Sequence, residues 1–267
     1  MCGVEPGSAA RVTEVAATVS GVKRSTVRTW RMRPWPDDPT VAHLVFLDHA
    51  DVPGHDEIAA AVADARRRRA RAVRTSALFP RAAEIVLDHG FETIDRLALL
   101  SRPVSEALDP SHRGPTRPML PWHLSVAASI DREAFGPDWG NDASALLDIR
   151  RATPRHRARI VRDGRTVAGF AITGAAGEQG YLQRLAVAPV HHRRGFARVL
   201  VADALHWMVT QRLSTALVNT GVDNVPALAL YEGFGFRRLD HELTIAELRL
   251  DQAPMAAGWS DRSEPSR

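Results

Sequence analysis

The sequence contains almost no cysteine and almost no lysine. Cys2 is the only cysteine among 267 residues, which excludes an internal disulfide and a zinc site built on cysteine ligands. Lys23 is the only lysine, so arginine supplies nearly all of the positive charge, and a guanidinium group stays charged at any pH a protein meets. The formal net charge is nevertheless only +4, and the composition therefore does not predict a large positive field.

Long apolar runs are also missing. No stretch approaches the roughly 20 apolar residues that a membrane-spanning helix needs. The first residues, MCGVEPGSAARVTEV, show no basic segment followed by an apolar core, which is the pattern of an export signal. We therefore expect a cytoplasmic protein with no membrane partner.

Arginine is concentrated in one run, ARRRRARAVR at residues 65–74. Such a run could contact nucleic-acid phosphates. It also falls at the C-terminal end of a predicted helix, where cations interact favourably with the helix dipole. Because no aromatic residues interleave with the run and it does not recur, we favour a solvent-exposed helix end and do not expect nucleic-acid binding.

Composition and periodicity divide the chain into four segments. Residues 1–102 alternate strand-like and helix-like stretches, residues 103–121 are a linker rich in Pro, Ser and charge, residues 122–250 form a second unit, and residues 251–267 form a flexible tail. The second unit is predicted to end in a pair of strands, FRRLDHELTIAELRL. The succession of strands and helices predicts an α/β (α+β) fold with a mixed central sheet flanked by helices.

The stretch AVAPVHHRRGFAR lies between a predicted strand and a predicted helix. A helix N-terminus exposes backbone N–H groups and a partial positive charge. Gly195 would let the backbone approach a ligand closely, and the small Ala197 would leave the first turn open. Arg193, Arg194 and Arg198 add positive charge, so the stretch predicts a binding site for a pyrophosphate.

Two motifs together resemble the GNAT superfamily of N-acetyltransferases. LAVAPVHHRRGFA resembles the acetyl-CoA loop of that family, and NVPALALYEGFGF at residues 224–236 resembles its second signature. The resemblance covers residues 118–248, and DREAF near residue 131 is similar to the RimI type, which acetylates protein N-termini. It implies an acyl-CoA acyltransferase fold, acetyl-CoA as co-substrate and no metal.

Two positions depart from the family pattern. His192 stands where the loop usually has Gln or Arg, and the contribution expected there comes mainly from the backbone N–H. Asn219 stands where RimI-type enzymes place a glutamate base. Asparagine cannot accept a proton, so the RimI substrate and base do not carry over to this chain.

The resemblance implies that the strand LQRLAV parts from its neighbour and pairs with the pantetheine arm of the cofactor. Asn224 is expected to cap the following helix and to contact the cofactor. Tyr231 is expected to act as the general acid for the departing thiolate, because a thiol pKa of about 8.5 and a tyrosine pKa of about 10 are close. Asp131, Glu133, Asp138 and Glu178 remain alternatives for the base. The residues expected to bind the cofactor are Leu185, Ala186, Val187, His192, Arg193, Arg194, Gly195, Phe196, Ala197, Arg198 and Asn224.

The first unit resembles the second when the sequence is shifted by 145 residues. RAAEIVLDHGFETID at residues 81–95 then lies over PALALYEGFGFRRLD at residues 226–240. Val86 falls at the position of Tyr231 and Phe79 at that of Asn224, while Asp48, Asp51, Asp56 and Glu57 occupy the loop region where arginines would be needed. We interpret residues 1–102 as a truncated, degenerate GNAT-like half in a tandem arrangement, and a chance resemblance is the alternative.

These observations predict an enzyme that transfers acetyl from acetyl-CoA to a primary amine by direct attack. The missing glutamate and the extra half favour a small-molecule acceptor. A protein N-terminal acetyltransferase and a non-catalytic CoA-binding module are the alternatives. No pattern in the sequence indicates the acceptor, the base or the oligomeric state.

Overall fold

Ten strands form one mixed sheet in the computed structural model, which describes residues 30–36, 38–46, 53–105 and 114–250. Six α-helices flank the sheet in these residues. The strands are β1 (Trp30–Pro34), β2 (Val41–Phe46), β3 (Ala72–Thr75), β4 (Glu92–Pro103), β5 (Thr116–Pro118), β6 (Arg155–Asp163), β7 (Thr166–Ala176), β8 (Gln179–Val187), β9 (Thr215–Gly221) and β10 (Arg237–Arg249). The helices are α1 (His55–Arg67), α2 (Pro80–Asp88), α3 (Leu124–Phe135), α4 (Ala143–Arg151), α5 (Phe196–Thr210) and α6 (Val225–Glu232). The predicted mixed sheet flanked by helices is therefore confirmed.

The order of the strands joins the two predicted units. The sheet runs β1-β2-β3-β10-β4-β9-β8-β7-β6-β5. Strand β4, from the first unit, pairs antiparallel with β9 of the second, and β10, from the second unit, pairs antiparallel with β3 of the first. We call this arrangement the strand exchange. It makes the sheet continuous across both units, whose boundaries stay a prediction.

The same turn ends α2 and α6. Gly90 and Gly235, which the 145-residue shift aligns, both have positive φ, 82° and 80°. Phe91 donates its backbone N–H to the carbonyl of Val86 at 3.3 Å, and Phe236 donates to that of Tyr231 at 3.1 Å. In both places a left-handed glycine lets the chain leave the helix and enter a long strand, β4 or β10.

The helices cover the two faces of the sheet unequally. Helices α1 and α2 pack with Ala246 of β10, and α5 and α6 pack with Ala98 and Leu100 of β4. The pairing of β4 with β10 places these residues on one face, here called the α5 face. Helices α3 and α4 pack against Ile160, Phe170 and Ala186 on the opposite face.

Three details differ from the sequence-based prediction. The expected terminal strand pair is one strand, β10, which bulges between Arg238 and Glu242 and pairs with β4 on both sides of the bulge. Residues 116–118, expected in the linker, form β5 and pair with β6. Cys2, Lys23, Asp48, Asp51, residues 106–113 of the linker and the tail at 251–267 lie outside the described residues.

Candidate functional site

The central feature of the site is a gap between the parallel strands β8 and β9. Only Gln179, Gly180 and Tyr181 of β8 pair with β9, at Thr215, Ala216 and Leu217. Beyond Tyr181 strand β8 continues to pair with β7, and β9 continues to pair with β4. The register of β7 and β8 shifts between Ile172 and Thr173, which places a bulge at Gln183 where the strands part. The predicted parting of this strand from its neighbour is present in the structure.

The backbone of β8 offers hydrogen-bonding groups to this gap. Ala188 donates its N–H to the carbonyl of Ala168 at 2.9 Å, on the β7 side. Successive N–H groups of a strand point to opposite edges, so Leu185 and Val187 direct theirs away from β7 and into the gap. An extended ligand could pair with them as an added strand would.

The loop after β8 turns sharply into α5. Arg193 and Gly195 have positive φ, 58° and 84°, and Gly195 is the N-cap of the helix. A Cβ at Gly195 would meet no atom within 4 Å, so the glycine is required for its backbone conformation and not for space. Val199 makes the first intrahelical bond, to the carbonyl of Gly195, at 3.1 Å. The N–H groups of Phe196 and Ala197 precede it and lie at the positive end of the helix dipole.

Arg194 lies beside the loop and pairs with an acidic side chain. Its guanidinium donates to Oδ2 of Asp163 at 2.5 Å, in the turn between β6 and β7, and lies 3.3 Å from Nδ1 of His191. An acidic partner neutralises part of the charge that was expected to face a pyrophosphate. A depression of about 310 Å³ beside the loop is lined by Pro115, Val161, Arg162, Arg194, Gly195, Phe196, Arg198 and Val199.

His192 contributes through its side chain as well as its backbone. Its Nε2 lies 2.8 Å from the carbonyl oxygen of Val187, so the imidazole N–H closes the turn back onto the end of β8. The contribution expected mainly from the backbone at this position is therefore joined by one from the side chain.

Tyr231 lies in the core on the α5 face, with its ring edge-on to Phe236 at 5.9 Å. Burial raises the pKa of its phenol to about 12, and the charge of Arg184 opposes the shift. The phenol is therefore protonated throughout the physiological range. The gap to a thiol pKa of about 8.5 is wider than the sequence suggested, because an exposed tyrosine was assumed.

Asn224 caps α6 as predicted. Its side-chain oxygen accepts the backbone N–H of Ala227 at 3.2 Å. This bond uses one of the helix N–H groups that would otherwise lack a partner.

The suggested bases are placed unfavourably. Asp131 is fully buried and accepts two hydrogen bonds from Arg184, both at 2.7 Å, and two from Asn141. Its carboxylate is therefore a buried ion-pair partner of Arg184. Glu178 precedes β8 and lies roughly 20 Å from Leu185 along the strand, at about 3.3 Å per residue. Glu133 and Asp138 are exposed.

Asn219 lies on the face opposite α5. It pairs with Leu99 of β4, which alternates with the α5-face residues Ala98 and Leu100, and its side chain is exposed. The position aligned with the RimI glutamate therefore faces the side of the gap that carries α3.

Two site residues were missed by the sequence analysis. Arg184 was overlooked because it lies inside a predicted strand. The alternation of that strand indicates only that Arg184 and Leu185 face opposite sides of the sheet. Asp163 was interpreted only as part of a hairpin turn. Both act through partners more than 30 residues away in the sequence, 53 for Arg184 with Asp131 and 31 for Asp163 with Arg194, and no local pattern reports such pairs.

Comparison with known proteins agrees with this geometry. Residues 125–236 match the acetyltransferase (GNAT) family. The [ribosomal protein bS18]-alanine N-acetyltransferase of Salmonella typhimurium is 28% identical over 144 residues, which cover 52% of this chain and 86% of that enzyme. A mycothiol acetyltransferase of a Nocardioides species is 28% identical over 192 residues, 61% of this chain and 64% of that enzyme. The chain therefore spans less than two thirds of the second relative.

Among solved structures, a tandem GNAT protein from the clavulanic acid biosynthesis pathway superposes with a TM-score of 0.57 at 12% identity, over 80% of this chain and 76% of that one. This likeness concerns the fold alone. The parted strands, the glycine loop and the family match define residues 125–236 as an acetyltransferase domain. The two motifs predicted this family, and both lie within the matched residues.

Within the described ranges, no helix is long and apolar enough to cross a membrane. The same residues bring together no group of three or more His, Cys, Asp or Glu side chains that could hold a metal ion.

Proposed function

We propose that this protein transfers the acetyl group of acetyl-CoA to the primary amine of a small molecule, by direct attack and without an acyl-enzyme. The observation that carries the proposal is the gap beyond Tyr181, where β8 leaves β9 and leads directly into the N-terminus of α5. Bound acetyl-CoA supplies an activated thioester.

The residues present fit this co-substrate. The N–H groups of Leu185 and Val187 point into the gap, where they can pair with an extended arm and polarise a carbonyl oxygen. The N–H groups at the start of α5, the backbone of Arg193 and Gly195, and the side chain of Arg198 are suited to a pyrophosphate. His192 holds the turn that aligns the strand with the helix.

Tyr231 donates a hydrogen bond to the leaving sulfur in this proposal. With a pKa of about 12, its complete deprotonation by a free thiolate would be unfavourable by about 5 kcal/mol. A hydrogen bond stabilises the developing negative charge on sulfur without transfer of the proton, so this cost does not apply to it.

The residue that bears on the class of acceptor, Asn219, lies on the face opposite α5. Asn219 stands there in place of the glutamate of the RimI type, so the protein differs from that type at its base. The 192-residue similarity to a mycothiol acetyltransferase extends beyond the family-matched residues 125–236. The bS18 relative supports the alternative, a protein N-terminus, and the amine test below separates the two.

We also propose that residues 1–102 are a degenerate GNAT-like half. The matching turns at Gly90 and Gly235 and the strand exchange support it. The N-terminus of α1 is unsuited to an anion, because Oε2 of Glu57 already accepts the N–H of Gly54 at 2.9 Å, and Asp56 lies in the same turn. No cofactor is assigned to this half.

Binding of acetyl-CoA tests the co-substrate site. In calorimetry, we expect micromolar affinity for wild type and a loss of at least 100-fold in Gly195→Asp, which adds backbone strain and negative charge at the α5 N-terminus. The matched control is Gly177→Asp. Gly177 also has positive φ, 53°, and open space around it, but it lies in the turn between β7 and β8, at the other end of β8. Equal binding by all three proteins would contradict the proposed site.

Acetyl transfer is then measured with glucosamine, spermidine and a hexapeptide that begins with alanine. Turnover of glucosamine or spermidine above that of the peptide supports the small-molecule acceptor. Preference for the peptide would support a protein N-terminus. Binding of acetyl-CoA without transfer to any of the three would support a non-catalytic module.

A further inference from the structure

A tryptophan of the first unit contacts the loop between α3 and α4. This loop, residues 136–141, is here called the acceptor-side loop. Trp35 donates its indole N–H to the carbonyl of Asp138 at 3.2 Å, and its ring lies edge-on to Trp139 at 5.9 Å. The guanidinium of Arg74 lies over both rings, at 4.6 Å from Trp35 and 5.3 Å from Trp139.

Arg74 is held in place by a second contact, an ion pair with Glu247 of β10. Its Nε and Nη2 donate to Oε2 of Glu247 at 2.8 and 2.7 Å, across the pairing of β3 with β10. Both side chains are largely buried, with exposed fractions of 15% and 11%. Trp35 and Arg74 therefore form a firm surface against which the loop rests.

The catalytic domain holds the other side of the same loop. Nη2 of Arg184, on β8, donates to the carbonyl of Trp139 at 2.7 Å, and Asn141 donates its backbone N–H to Oδ2 of Asp131 at 2.7 Å. The loop is thus bonded to β8 through Arg184 and to the first unit through Trp35.

The loop lies on the face from which an amine would approach. The α5 N-terminus lies on the opposite face, so a co-substrate bound there enters the gap from the α5 side. Arg184, Asn219 and Leu99 lie on the other face, and Arg184 bonds directly to the loop.

We propose that Trp35 is a positioning residue for the acceptor, which holds the acceptor-side loop in place as one edge of the amine site. The inference rests on the proposed function and adds to it a specific contribution of the first unit. The indole N–H fixes the carbonyl of Asp138, and its ring fixes Trp139. Without Trp35 the loop keeps its bonds to Arg184 and Asp131 but loses the contacts that hold its outer side.

The test compares Trp35→Ala and Trp35→Phe with Trp122→Ala and Trp122→Phe. Trp122 is 71% exposed, so it is a matched control for loss of an indole. Hydrogen–deuterium exchange is measured for the amides of residues 137–141. Steady-state kinetics use whichever of glucosamine, spermidine and the alanine hexapeptide the wild type acetylates with the highest kcat/KM.

For Trp35→Ala we expect exchange of the loop amides to rise at least fivefold and the KM for the amine to rise five- to tenfold. The KM for acetyl-CoA should stay within twofold. Trp35→Phe should give exchange rates and an amine KM between those of wild type and Trp35→Ala, because it keeps the ring packing and loses the N–H donor. The Trp122 variants should match wild type in both measurements.

Two results would overturn the inference. Unchanged exchange in an active Trp35→Ala protein would mean that the loop does not depend on Trp35. Equal increases in KM for amine and acetyl-CoA would indicate general structural damage. A wild type that acetylates none of the three amines contradicts the proposed function itself, which is a different failure.

Discussion

Tyr231 combines a buried ring with the phenol that we propose as a hydrogen-bond donor to the leaving sulfur. Its side chain is 6% exposed and packs among the residues of the α5 face, so its environment is set by the core as much as by chemistry. Burial raises the pKa to about 12, which keeps the O–H available as a donor at every pH at which the enzyme would work.

Replacement of Tyr231 by phenylalanine separates its two roles. The ring and its packing remain, while the donor is lost, so we expect kcat to fall roughly 10- to 100-fold. Affinity for acetyl-CoA, measured by calorimetry, should change less than threefold. An unchanged kcat would remove Tyr231 from the mechanism.

The same substitution changes how stability depends on pH. The folded-state pKa of about 12 exceeds the value of about 10 expected in the unfolded chain, so the wild type holds this proton more tightly when folded. Its contribution is complete below pH 10 and is lost as the pH rises from 10 towards 12. Guanidinium unfolding at pH 9 and 11 should show a wild-type loss about 1 kcal/mol greater than that of Tyr231→Phe. Equal losses would contradict the shifted pKa.

Single residues could be predicted from the sequence where their role is local. Asn224 precedes a helix that contains Pro226, and a cap follows from that order alone. Gly195 was predicted because a turn into a helix needs its conformation. Asp131 could not be assigned, because its role depends on Arg184, which is 53 residues away. Whether a carboxylate is a base or a buried ion-pair partner depends on burial, which a single sequence does not report.

At the scale of elements, the junction of β8 and α5 is held by one side chain. The imidazole of His192 reaches back to the carbonyl of Val187 and so links β8 to the loop that leads into α5, the two elements that we propose bind the cofactor. The N–H of Val187 points to the same side as this carbonyl. The bond therefore influences the direction in which Val187 presents its donor.

We expect His192→Ala to weaken acetyl-CoA binding three- to tenfold in calorimetry, because the loop loses its bond to β8. His192→Gln keeps an amide donor of similar reach and should bind within twofold of wild type. If alanine and glutamine variants bind alike, the side-chain bond does not matter and only the backbone at this position contributes.

The elements themselves were largely predictable, and their partners were not. Periodicity located β8 and α5, and Asp163-Gly164 located the turn between β6 and β7. The end of the chain was misinterpreted because β10 carries a bulge between Arg238 and Glu242 that interrupts the alternation expected of one strand. The pairing of β4 with β9 joins segments about 120 residues apart, and hydrophobic patterns do not specify which edge a strand will join.

At the scale of the molecule, the strand exchange makes the two units depend on each other. All seven residues of β9 pair with β4, which also contributes Ala98 and Leu100 to the core beneath α5 and α6. A fragment of residues 114–250 would leave the edge of β9 unpaired and part of that core exposed.

We therefore expect one cooperative unfolding transition for the whole chain. Leu44→Ala, in the core of the first unit, and Leu200→Ala, in α5, each remove a fully buried side chain and should lower the free energy of unfolding by about 2–5 kcal/mol. Each should shift the same calorimetric peak. The exposed Val209→Ala should change it by less than about 0.5 kcal/mol. A second, earlier peak in Leu44→Ala alone would show that the units unfold separately.

The exchange of β4 and β10 also constrains how such a chain can change over evolutionary time. A domain that merely follows another can be deleted once its own ligand site has been lost. Here deletion of the first unit would remove β4 from the centre of the catalytic domain's sheet and leave β10 without β3. The second unit is therefore obliged to retain its neighbour for topological reasons, even where that neighbour binds no ligand of its own.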